Sequence, residues 1–345
     1  MTHKEVFEED LNSINNYSSK FFNILFGKTI LVTGATGLIG FTLVKALLYI
    51  NQKNSLHLKI IALVRNPKKA QLLFGEQDST LSFIISDITK KISYKGSIDY
   101  IIHAANQTSS KAFVNEPVET IQTAIRGTEN MLELAKEKHI SSFIYLSSME
   151  VYGTPETDEK ILESHSTNLD TMAVRTCYPE SKRMCESLCK SYFSEYGIPA
   201  KVIRLTQTFG PGVSYEDGRV FAEFARCVIE CRNIILRTKG ETKRNYLYTA
   251  DAVTAILTVL LMGKNGESYN AANESTYCSI YEMANLVAKH CAGEKIKVLI
   301  EEEDIAKFGY APVLRMNLDT SKLQHLGWIA TCPLPEMFNR LIKTM

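Results

Sequence analysis

Thr29-Ile30-Leu31-Val32-Thr33-Gly34-Ala35-Thr36-Gly37-Leu38-Ile39-Gly40 joins a short apolar run to glycines spaced three apart, and Phe41 to Ile50 continues as a helical pattern. Strand, glycine turn and helix is the setting in which a backbone can close on a pyrophosphate. The glycines permit the tight turn and the near approach, and the unpaired N–H groups at the helix start attract an anion. The spacing Gly-x-x-Gly-x-x-Gly departs by one position from Gly-x-Gly-x-x-Gly, and a plain strand-to-helix turn is the alternative reading.

The chain on the carboxyl side keeps the same rhythm. Leu58 to Val64 reads as a second strand and ends in Arg65, where an acidic residue would usually take the ribose hydroxyls of NAD. No Asp or Glu stands nearby, and an arginine suits the additional phosphate of NADP, so the choice between NAD and NADP leans to NADP; a solvated surface arginine is the alternative. Leu81 to Ser86 precedes Asp87-Ile88, and Ile101-Ile102 runs into His103-Ala104-Ala105. Val118 to Lys138 is the longest helical pattern between them. The alternation predicts an α/β fold, a doubly wound parallel sheet of Rossmann type that binds ligands at the carboxyl ends of its strands. His103 lies at such an end and reads as a satisfied structural histidine.

Phe143 to Ser147 forms another strand and delivers Ser148, Met149, Glu150, Val151, Tyr152 and Gly153 at its carboxyl end. Further on, Cys177-Tyr178-Pro179-Glu180-Ser181-Lys182 opens a helical run in which Tyr178 and Lys182 share a face. A phenol is a poor base near neutrality unless a neighbouring cation favours the phenolate, and Lys182 is the candidate for that charge. A hydroxyl at Ser148 can hold a substrate oxygen while Tyr178 takes its proton and a nicotinamide takes hydride from the same carbon. The Tyr/Lys spacing alone also occurs by chance; the glycine turn and Ser148 together make the constellation specific.

The 345 residues suit one large core or two modest ones. With 39 basic against 38 acidic residues and no basic tract, nothing points to nucleic acid or a membrane surface, and the expected partner is a small molecule. The eight cysteines are scattered without Cys-x-x-Cys pairs, and the N-terminus has no signal-like pattern, so reduced thiols and a cytoplasmic location are expected. Cys185 and Cys189 stand one turn apart with no third ligand at metal spacing, and read as buried thiols. Residues 1–26 read as an N-terminal helical extension packing on the main domain, 27–205 as the dinucleotide domain with part of 240–262 returning to it, and 206–345 as a substrate lobe.

The motifs taken together resemble the extended short-chain dehydrogenase/reductase family of nucleotide-sugar epimerases, dehydratases and decarboxylases. The resemblance runs from about Lys28 to the C-terminus. It is carried by Thr33 to Gly40, Asp87-Ile88, His103-Ala104-Ala105, Ser147 to Gly153, Tyr178-x-x-x-Lys182, Arg204 through Phe209-Gly210-Pro211, Arg244 through Asp251, and Leu326-Gly327-Trp328. It implies a larger cofactor domain, a smaller substrate lobe and a homodimer built through two long helices per subunit. It implies also that Gly34, Thr36, Gly37, Leu38, Ile39, Gly40, Asp87, Ile88, Ala104 and Ala105 wall the cofactor, with Asp87 at the adenine. Tyr178, Lys182, Ser148 and Glu150 would carry the chemistry, and Arg244 would bind the diphosphate or the sugar, as a guanidinium does well. Gln207 stands where an Asn usually meets the substrate. Arg219 is a candidate for a second phosphate, with a plain surface role as the alternative.

In members that eliminate water, Ser148-Met149-Glu150 would read Thr-Asp-Glu, the Asp being the acid. Met149 cannot deliver a proton, so dehydration lacks its acid. Decarboxylases of UDP-glucuronate look like Thr-Ser-Glu here and resemble Arg175 to Arg183, which favours decarboxylation. Arg65, Gln207 and Ala124 depart from that pattern. The expected activity is therefore modification of a nucleotide-activated sugar through a transient 4-keto intermediate. The alternatives are an NADPH-consuming reductase of a ready-made 4-keto sugar and, from another class, a catalytically silent NADP-binding sensor.

Overall fold

The computed structural model describes residues 2–303 and 313–345. The first six strands of the main sheet are β1 (Thr29–Thr33), β2 (Lys59–Val64), β3 (Leu81–Ile85), β4 (Tyr100–His103), β5 (Ser142–Ser148) and β6 (Ala200–Leu205). After them come β7 (Gln207–Phe209), β8 (Ile234–Leu236), β9 (Lys243–Tyr248), β10 (Ser268–Ala271), β11 (Asn273–Ser279), β12 (Val298–Ile300) and β13 (Arg315–Met316). Seven strands form one sheet in the order β10-β6-β5-β4-β1-β2-β3, with every pairing parallel.

β1 is buried along its whole length because helices cover both faces, and its side chains alternate between two cores. Ile30 and Val32 join a core with the helices Leu38–Asn54 and Thr249–Met262; Leu31 points to the other, with Pro117–Lys138 and Cys177–Tyr196. Strand order reverses direction between β1 and β4, so a crevice opens at their carboxyl ends. The glycine turn follows β1 at that point.

The later chain returns to this domain further than 240–262. The helix Thr249–Met262 packs on β5 and β6, and β10 closes the sheet beside β6. Its buried Asn270 is held by Tyr152 Oη at 2.6 Å and by the carbonyls of Ile161 and Asp319. The smaller lobe is built on β9, which pairs with β7, β11 and β13, while β8 and β12 form a separate parallel pair.

The extension is a helix, His3–Ser18, opened by a reciprocal Thr2/Glu5 capping box. Val6 and Ile14 are buried, and the helix packs on Leu38–Asn54, Thr249–Met262 and the C-terminal helix Leu334–Thr344. Asp10 accepts from Tyr248 Oη at 2.6 Å and from Arg340 at 3.0 Å, which joins both ends of the chain to the end of β9. No helix among the described residues is long and apolar enough to cross a membrane.

Candidate active site

The crevice at the carboxyl ends of β1, β4 and β5 is a cleft of about 620 Å3. Every residue expected at the site lines it: Gly34, Thr36, Gly37, Leu38, Ile39 and Gly40 of the glycine turn, with Arg65, Asp87, Ile88, Ala104, Ala105, Ser148, Glu150, Tyr178, Lys182, Gln207, Arg219 and Arg244. None is left outside.

At one end, Gly34 has φ +64°, and a Cβ there would come within 2.8 Å of the Ala104 and Ala105 backbone. A Cβ on Gly40 would run into the Gly34 carbonyl, so only glycine lets turn, helix and β4 close together. The helix Leu38–Asn54 starts at Gly37 with no side-chain cap, which leaves its first N–H groups to an anion in the cleft. Beyond it, Asp87 accepts from Thr89 N and Oγ1, and these bonds hold its carboxyl below the usual range. Ile88 is buried against Gly127, where a Cβ would come within 3.0 Å of it. Arg65 is exposed on the same wall with Lys69, a second cation that lay outside the motifs. Glycine cradle, free helix start and paired cations fit a nicotinamide dinucleotide.

At the other end, Ser148 closes β5 and caps the short turn Met149–Tyr152, its Oγ accepting from Glu150 N at 3.2 Å. The turn is braced from behind. Ser147 Oγ donates to Glu186 at 2.5 Å, Glu186 pairs with Arg204 at 2.6 Å, and Arg204 donates to Tyr152 Oη at 2.9 Å. Met149 is largely buried but still lines the cleft, and its sulfur accepts from Thr206 Oγ1 at 3.2 Å. Glu150 stays in the cleft, gripped by both terminal nitrogens of Arg175 at 3.0 and 3.5 Å.

Tyr178 lies one residue into its helix, beneath the ring of Phe113. Burial pushes its phenol up, the Glu150 carboxylate adds to this, and the Ser148 hydroxyl with Arg175 and Arg219 works the other way. The charge expected from Lys182 is placed differently from the sequence reading. Its ammonium donates to the Leu146 carbonyl at 2.6 Å and lies 5.8 Å from the Tyr178 ring centroid. Burial brings it down to about 8. The phenol is thus kept neutral in this arrangement, beside an ammonium whose own pKa burial lowers. His103 sits behind, bonded to Thr33 and Thr128 at 2.8 and 3.3 Å and pushed down to about 3 by burial, a structural residue.

On the substrate side Arg244, on β9, donates to Gln207 Oε1 at 3.2 Å, and its buried Nε has no partner among the described residues. Arg219 pairs with Asp217 and still lines the cleft. Phe113 and Asn106 were missed by sequence reasoning: both lie in a stretch without motif spacing. Arg175 stood inside a quoted motif but carried no role. Cys185 and Cys189 are buried and free. No group of three or more His, Cys, Asp or Glu side chains among the described residues could hold a metal ion.

A doubly wound sheet whose switch-point cleft joins a dinucleotide cradle to a Ser/Tyr/Lys cluster defines a nicotinamide-dependent enzyme. Residues 30–272 match the NAD dependent epimerase/dehydratase family, and the chain belongs to it. It is 31% identical over 312 residues to UDP-glucuronic acid decarboxylase 6 of Arabidopsis thaliana, covering 90% of this chain and 86% of that one. To UDP-glucuronic acid decarboxylase 1 of Xenopus tropicalis it is 28% identical over 326 residues, covering 94% and 73%. The UDP-glucose 4-epimerase of Thermotoga maritima, solved with UDP-glucose, superposes with a TM-score of 0.77 at 21% identity, covering 92% and 98%.

Proposed function

We propose that the protein decarboxylates a nucleoside-diphosphate-linked uronic acid, with UDP-glucuronate the favoured substrate, through a transient 4-keto sugar. The observation that carries this reading is the cleft face of the Ser148–Glu150 turn. Its middle residue, Met149, lines the cleft with a thioether that carries no proton to give, so elimination of water has no acid there, while Glu150 is a carboxylate fixed by Arg175. Loss of carbon dioxide from a β-keto acid needs no such acid: the electron pair of the breaking C–C bond flows into the ketone. The names of the relatives point the same way.

A nicotinamide dinucleotide held by the glycine turn from Gly34 to Gly40 would supply the hydride acceptor for C4 and the donor that restores it. Ser148 holds the C4 oxygen, and Tyr178, once it has lost its own proton and stands as the phenolate, takes the C4 hydroxyl proton as the ketone forms. After carbon dioxide leaves, the same two hydroxyls stabilise the enolate oxygen by hydrogen bonds, C5 takes up a proton supplied by solvent, and Tyr178 gives its proton back as the alcohol re-forms. Arg244, with Gln207 beside it, binds the diphosphate, and Arg219 lies in reach of the same charge. Arg65 with Lys69 favours NADP at the adenosine end. The same pair would serve NADPH in a net reductase, which stoichiometric consumption of reduced cofactor would reveal. Tyr178→Phe is the test of the proton role: turnover is lost with dinucleotide binding kept, and retained turnover would refute the mechanism.

We assign a homodimer and a cytoplasmic location to the same reading. The helices Pro117–Lys138 and Cys177–Tyr196 pack on each other and leave Val118, Ile121 and Met184 uncovered, and all eight cysteines are free.

A further inference from the structure

Asn106 follows the His103-Ala104-Ala105 end of β4 and lines the cleft. Both atoms of its amide, Oδ1 and Nδ2, are shut off from solvent and have no hydrogen-bond partner among the described residues. A buried amide left unpaired is costly, and native structures rarely keep one without a reason. No hydrogen bond among the described residues holds this amide in place, so a rotation about its side-chain torsions into the cleft breaks none.

Its position along the cleft says what it would meet. One residue before it, Ala105 abuts the glycine turn, with its N within 2.8 Å of a Cβ built on Gly34. Seven residues after it, Phe113 stacks on Tyr178. Asn106 therefore stands between the pyrophosphate cradle and the reacting phenol. A dinucleotide that spans those two points carries its second ribose, the one next to the nicotinamide, across this stretch. An amide offers an acceptor and two donors side by side, and the vicinal hydroxyls of a ribose can both give and take hydrogen bonds.

We infer that Asn106 is a binding residue for the nicotinamide-side ribose of the cofactor, its amide engaging the vicinal diol. The other diol that could reach this part of the cleft belongs to the substrate sugar nucleotide, and the test separates the two. The inference rests on the cofactor cleft and not on the decarboxylase reading, so it can fail or stand without it.

The experiment measures binding by the full-length Asn106→Leu protein, calorimetrically, with ADP-ribose, ADP and UDP as probes. ADP-ribose contains the second ribose and ADP lacks it. The expected result is a loss of about ten-fold in affinity for ADP-ribose, with ADP and UDP unchanged. Without ligand, Asn106→Leu is expected to unfold at the same or a higher temperature than the parent, because an unpaired amide has been replaced by an apolar group of similar size. A variant that merely broke the loop would unfold earlier; Asn106→Ala, which leaves space rather than filling it, is the second variant for that case. Equal loss for ADP and ADP-ribose, no loss for either, or a loss for UDP alone would each overturn the assignment.

Discussion

The ring of Phe113 lies flat on that of Tyr178, with centroids 4.2 Å apart and planes 14° from parallel. Phe113 thereby supplies part of the cover that raises the phenol. Phe113→Leu thins this cover, so the Tyr178 pKa falls. The acid limb of the pH dependence of kcat, where the base must first lose a proton, is expected to move to lower pH, with kcat at its plateau several-fold reduced. Such aromatic pairs are worth about 0.5–1.5 kcal/mol beyond area, which bounds the stability loss from the stack itself. A limb that stays in place would show that Phe113 does not tune the base.

Arg175 and Glu150 act on Tyr178 with opposite sign: the carboxylate raises the phenol and the guanidinium lowers it. Arg175→Gln leaves the carboxylate uncompensated, so the acid limb is expected to shift to higher pH and activity at neutrality to fall about ten-fold, recovering in part as the pH rises toward about 8, where the Lys182 decline begins. Glu150→Gln is expected to shift the limb the other way. Profiles of the two single variants and the double variant check the coupling.

Lys182 is brought down to about 8 by burial. A lysine depressed in the folded state is charged in both states below that value and is neutral first in the native protein above it. Its contribution to stability therefore increases between about pH 8 and the ordinary lysine value of about 10.4 as the unfolded chain keeps the proton longer. Activity has the opposite dependence where it needs the charge, and kcat is expected to decline above about pH 8. Lys182→Arg keeps its charge throughout and is expected to lose that alkaline decline, although its absolute rate will be lower.

At the adenosine end, Arg65→Asp with Lys69→Ala removes the two cations on that wall and supplies a carboxylate for ribose hydroxyls. The ratio of NADP to NAD affinity is expected to fall by at least about ten-fold, read from dissociation constants. An unchanged ratio would place the preference elsewhere.

What was legible in the sequence was local geometry. The glycine turn, the apolar strands and the shared face of Tyr178 and Lys182 follow from spacing over a few residues, and the parallel sheet then brings Ser148 to the same end as Gly34. What escaped depends on packing between distant segments. Phe113 meets Tyr178, and Arg175 meets Glu150, only after the short helices Ser110–Asn115 and Val174–Thr176, too brief to show a period, have packed beside the cleft. β10 is four residues long, and its buried Asn270 reads as a loop residue until Tyr152 is beside it. The N-terminal helix shows its apolar stripe plainly, but the partners of Asp10 are Tyr248 and Arg340, 238 and 330 residues away.

The measurement that tests the central claim most directly is the mass of the product when the purified protein is incubated with UDP-glucuronate and a trace of NAD or NADP. The expected product is lighter than the substrate by carbon dioxide, with the cofactor recovered in its oxidised form after many turnovers. A product lighter by water, an isomer of unchanged mass, or reaction only with stoichiometric NADPH and a 4-keto sugar would contradict the decarboxylase reading.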